Sequence, residues 1–121
     1  MPASAMWRWP RPACLLLLFC APATMAGEAA LRFLALGDSY TIGESVDAAT
    51  RWPVQLAALL RERSIEVATP RIIAQTGWTT DELAAAIDAE QPRPTWDLVS
   101  LQIGVNNQYR RRSLDEYRAQ F

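Results

Sequence analysis

The chain has 121 residues, with 12 basic side chains (all arginine), 13 acidic ones, two cysteines and no histidine. That length holds one domain at most, and 50% hydrophobic with 21% charged residues is the composition of a core-forming chain, not a disordered one. A net charge of −1 leaves no basic stripe for nucleic acid, and the lack of histidine excludes a complete Ser-His-Asp or Cys-His apparatus within these residues.

Residues 1–26 carry the order of a secretory signal: the basic Arg8 and Arg11, an apolar run from Ala13 to Ala21, then Thr24-Met25-Ala26 as a small-residue cleavage site. The run is too short to span a bilayer, so stable membrane insertion of the mature chain is not expected. Cys20 could mark a lipoprotein signal, but Phe19 stands where that signal needs a small residue. Beyond residue 26 lie ten of the arginines and all 13 acids, a net charge of −3, and neither cysteine. The mature chain is thus expected to have no disulfide, no thiol chemistry and no Cys/His zinc site.

Leu31 to Leu36 is a short apolar run ending in the turn formers Gly37-Asp38-Ser39, which predicts a buried strand. Trp52, Leu56, Leu59 and Leu60 recur at helical spacing, with Pro53 in a first turn that does not need its N–H. A second strand is expected at Arg71 to Ala74. Thr79-Thr80-Asp81-Glu82 reads as a capping box opening a helix with Leu83, Ala84 and Ile87 on one face, ended by Pro92 and Pro94. Leu98 to Ile103 predicts a third strand, leading into Gly104-Val105-Asn106-Asn107. Ser113-Leu114-Asp115-Glu116 reads as a second capping box, opening a helix marked by Leu114, Tyr117 and Phe121. The β-α-β-α-β-α order argues for a parallel sheet with helical crossovers. The last helix stops soon after its start without a C-cap, so an incomplete domain is expected.

Each strand is followed by a polar, glycine-bearing turn, and in a parallel sheet the strand ends share one rim, where such sheets bind ligands. Ser39 is a hydroxyl that a turn can present outward. Asn106 brings a side-chain amide, and Gly77 a backbone N–H with no Cβ in the way. Donors of this kind around a serine stabilise the oxyanion of acyl transfer. A serine still needs a base, and none of these residues supplies one. Asp38 is expected to brace its turn, Arg110-Arg111-Arg112 to be a solvated charge run, and Trp78 is the one aromatic residue placed to touch substrate.

Gly37-Asp38-Ser39-Tyr40 after a strand resembles the first block of the GDSL esterase/lipase family, the SGNH hydrolases. Gly77 falls where that family has its second-block glycine, and Gly104-Val105-Asn106 resembles its third block. The resemblance implies a flavodoxin-like three-layer α/β/α fold, truncated after about three β-α units, and ester hydrolysis through a serine acyl-enzyme without cofactor or metal. Ser39 would be the nucleophile and an oxyanion donor through its N–H, with Gly77 and Asn106 as the other donors. Two departures stand out: Asn107 replaces the family's usual Asp, and the Asp-x-x-His block carrying the base is absent. The expected protein is secreted or periplasmic and acts on a small-molecule, carbohydrate or lipid ester. Acetylated sugars, short-chain acyl esters, lysophospholipids and thioesters all remain open. The 121 residues alone are expected to be inactive. A non-catalytic carbohydrate- or lipid-binding relative is the alternative, favoured by the missing histidine if Phe121 is the true end. A flavin-phosphate loop at Ser39 to Gly43 has the wrong Thr-Gly spacing and leaves Gly77 and Asn106 unexplained.

Overall fold

The computed structural model describes residues 29–92 and 94–121, so the expected signal segment lies outside the described residues. The first apolar run becomes β1 (Phe33–Gly37), the middle strand of a three-stranded sheet. On either side lie β2 (Arg71–Ala74) and β3 (Leu98–Gln102), both parallel to it, in the order β2-β1-β3. Phe33, Leu34 and Ala35 are all buried, as a strand covered on both faces requires. This is the expected flavodoxin-like arrangement, and the strands fall within a residue or two of their predicted limits.

Side-chain alternation along β1 divides the core in two. Phe33 and Ala35 pack with Val67 and with Ala57, Trp52, Leu56 and Leu60 of α2 (Trp52–Glu62). Leu34 and Leu36 face the other way, packing with Ile73 and with Leu83, Ala86 and Ile87 of α3 (Thr80–Glu90). On these two helices, two expected core positions turn outward, and in the last helix Leu114 and Phe121 of the expected apolar face are exposed as well. Leu59 is exposed, because Ala57 and Pro53 fill the buried stripe of α2, and Ala84 of α3 is exposed while Ala86 takes the sheet side. The α3 helix ends at Gln91, in the left-handed conformation, just before Pro92.

Three shorter α-helices, α1 (Ser39–Ile42), α4 (Val105–Tyr109) and α5 (Leu114–Gln120), and one 3-10 turn at Ala48–Thr50 complete the described chain. Sequence patterning found only α5, since four or five residues are too few to show a helical period. Its expected capping box is half formed. The Ser113 hydroxyl accepts from the Glu116 N–H at 3.1 Å, but the Glu116 carboxylate pairs with Arg112 at 3.0 Å instead of reaching back. An arginine charge outcompetes a backbone amide for that carboxylate.

Candidate active site

Strand register places the three turns. The Cα of Gly37 pairs with Ala74 on one side and Gln102 on the other. Ser39, Gly77 and Asn106 thus follow these aligned strand ends by two, three and four residues, on the C-terminal rim of the sheet. Ligands of open parallel sheets gather at this rim.

At the first turn, Asp38 is the N-cap of α1 and is almost fully buried. Its carboxylate accepts from the Tyr40 N–H at 3.0 Å, while its backbone carbonyl accepts from Thr41 and Ile42. These bonds take up the helix's first N–H groups except that of Ser39, which has no acceptor among the described residues. Gly37 has to be glycine. A Cβ there would lie 2.1 Å from the Thr41 hydroxyl and 2.6 Å from the Gln102 carbonyl. The serine can follow the strand this abruptly only because residue 37 puts no Cβ between β1, α1 and β3.

The second turn runs from Gln75 to Trp78, closed by a long 3.3 Å bond from the Trp78 N–H to the Gln75 carbonyl. Gly77 sits at its third position with φ +87°, which glycine adopts without strain. The Gly77 N–H also has no acceptor among the described residues. Trp78 is half-buried and its ring packs with the Leu34–Ile73–Leu83 cluster. It therefore supports the turn from the core side.

The third turn is the helix α4, and its side chains hold the second. Asn106 donates to the Trp78 carbonyl at 2.9 Å, leaving its second amide hydrogen free. The buried Asn107 accepts from the Thr80 N–H at 3.1 Å and donates to the Thr80 hydroxyl at 2.7 Å. Arg110 donates to the Gly77 carbonyl at 2.7 Å and to Glu82 at 3.1 Å. Arg112 pairs with Asp81 at 2.5 Å. Arg110 and Arg112 thus clasp the end of α4 to the start of α3, while Arg111 between them is exposed, as expected of a solvated charge. The acidic first turn of α3 supplies the counter-charges of the clasp. Asn107 and Arg110 went unrecognised as structural residues because their partners are about 30 positions away, beyond any local pattern.

This acidic turn has perturbed titration. The Arg112 guanidinium, and then the Thr79 hydroxyl, hold the Asp81 carboxyl well below the usual carboxylate range. Glu82 is lowered too, chiefly by the Thr79 backbone N–H, with which it forms the predicted capping box, and then by Arg110. Among the described residues no group of three or more His, Cys, Asp or Glu side chains converges in a way that could hold a metal. A cleft of about 640 Å³ lies beside Gly104, Asn107 and Tyr117, but Ser39 and Gly77 do not line it.

The profile of the GDSL-like lipase/acylhydrolase family matches residues 35–121. The chain belongs to that family. Among solved structures, this GDSL-type chain is similar to the SGNH-hydrolase family esterase AlinE4, at 28% identity with a TM-score of 0.64 over 77% of this chain and 50% of that one. It is also similar to TesA, at 19% identity with a TM-score of 0.66 over 74% of this chain and 49% of that one, a likeness of fold alone. The chain spans about half the length of these solved relatives. Among curated proteins, none matches the sequence.

Proposed function

We propose that these residues carry the nucleophile and oxyanion hole of an exported serine hydrolase acting on carboxylic esters. One observation carries the reading. A serine at the start of a helix shares the sheet rim with two backbone N–H groups and one amide hydrogen that no described residue takes up. Unpaired donors gathered on one rim suit a charge that appears only during reaction.

In this scheme the Ser39 Oγ attacks the ester carbonyl carbon and loses its proton to a base. The N–H groups of Ser39 and Gly77 and the Asn106 amide receive the negative charge on the former carbonyl oxygen. Collapse of the tetrahedral intermediate expels the alcohol, which takes up a proton, and leaves an acyl group on Ser39. Water then releases the acid. With no histidine among the 121 residues, a histidine base would have to come from outside them. Trp78, packed on the core, would support the Gly77 turn from below. The second reading is a non-catalytic carbohydrate- or lipid-binding relative of the same fold.

The test is ester hydrolysis by the full-length protein. Ser39→Ala is expected to abolish turnover with the fold intact, and normal turnover in that variant would end the assignment. Asn106→Ala should lower kcat by about 10²–10³-fold with little change in KM, since the amide acts on the transition state. Binding of sugars or lipids without hydrolysis by the wild type would select the second reading. Export is checked by mass spectrometry of the mature protein, which should begin at Gly27; retention in the cytoplasm would remove the signal reading.

A further inference from the structure

We propose that Arg110 is the positioning residue of the oxyanion hole, holding the Gly77 turn so that its N–H stays aimed at the site; this rests on the esterase reading above. The turn has little to hold it from within. Its closing bond is 3.3 Å long, at the weak end of the range, and its third residue is glycine, the most mobile of backbones. Support comes from α4. Asn106 in α4 and Arg110, the residue that caps its C-terminal end, are one helical turn apart and so lie on one side, from which they donate to the consecutive carbonyls of Trp78 and Gly77. The two residues have different tasks. Asn106 would itself touch the oxyanion, whereas Arg110 acts only through Gly77.

The guanidinium suits this task. Its planar fork donates through Nη2 to the Gly77 carbonyl at 2.7 Å and through Nη1 to Glu82 at 3.1 Å, while Glu82 accepts from the Thr79 N–H at 2.9 Å. The glycine turn is thus tied at once to α4 and to the start of α3. Arg110 and Glu82 are both partly exposed, so their ion pair adds little to stability. The charge-assisted bond to the Gly77 carbonyl is the geometric constraint. A displacement of about 1 Å in a catalytic group can cost on the order of 10²-fold in rate.

The experiment compares Arg110→Met, Arg110→Lys and, as a control outside the Gly77 contacts, Arg112→Met in the full-length protein. The Gly77 N–H order parameter from nuclear magnetic resonance is read beside kcat and KM for p-nitrophenyl acetate. Arg110→Met should drop the order parameter from the rigid range of about 0.85 toward 0.6, leave that of Ser39 unchanged, and lower kcat about tenfold at nearly constant KM. Arg110→Lys should restore part of both, because an ammonium can reach the carbonyl but cannot fork to Glu82. Arg112→Met should lower the melting temperature while leaving Gly77 rigid. An Arg110→Met protein with a rigid Gly77, or with a mobile Gly77 and unchanged kcat, would overturn the proposal. If the wild type hydrolyses no ester, the esterase reading fails and the oxyanion role falls with it. The order parameter then decides only whether Arg110 holds the turn.

Discussion

Asn107 shows how much one side chain can hold together. It is buried, and its amide satisfies both the N–H and the hydroxyl of Thr80. Asn107→Ala would leave a buried helix-terminal N–H without a partner, a cost of about 1–3 kcal/mol. Asn107→Asp keeps an acceptor for that N–H, placed at the N-terminus of α3 where a negative charge is favoured. It should cost much less, while drawing the Thr80 hydroxyl away from its bond to Gln120. Urea unfolding of the two variants checks the order, and equal losses would show that the acceptor is not what matters. The same reasoning explains why Asn can stand where the family usually has Asp. The bond that matters most is to an N–H, and either side chain can accept it.

The start of α3 is the element on which the site is mounted. Its capping box, its bond to Asn107 and its ion pairs with Arg110 and Arg112 converge on four residues, Thr79 to Glu82. Asp81 and Glu82 are both lowered by these partners in the folded state. Their stabilising contribution is therefore present above the unfolded carboxylate range of about 3.9–4.3, and is lost as pH falls through the lower folded values. Thermal unfolding followed from pH 6 to pH 2 should show a loss of stability that shrinks in an Asp81→Asn, Glu82→Gln double variant. An unchanged acid profile would mean these carboxylates do not contribute. The exposure of both side chains keeps the expected effect modest.

At the scale of the whole molecule, the sheet is covered unevenly. Val99 and Leu101 of β3 are 52% and 46% exposed, and among the described residues no strand pairs with the outer side of β3. An exposed parallel edge with apolar side chains is a template for association. Residues 27–121 produced on their own should therefore self-associate with rising concentration, and Leu101→Lys should reduce this in sedimentation experiments. The same material should not hydrolyse a short-chain ester, because its serine has no histidine to take the proton. A monodisperse, hydrolytically active 27–121 chain would overturn both expectations.

Hydrophobic runs, turn residues and one complete capping box were enough to determine the alternation of the three strands with α2, α3 and α5, the parallel sheet and the rim shared by Ser39, Gly77 and Asn106. Each is a short-range signal: a strand buried on both faces must be apolar throughout, and a helix must satisfy its first N–H groups. Tertiary structure alone decided what holds the rim in place. The α4 helix is too short to announce itself. Arg110 and Arg112 read as solvated charges until the fold brings them to Gly77, Asp81 and Glu82, and the Ser113 box lost its second arm to Arg112. A side chain's partner is set by distance in space, and along this chain the partners of the Gly77 turn lie a whole β-α unit away.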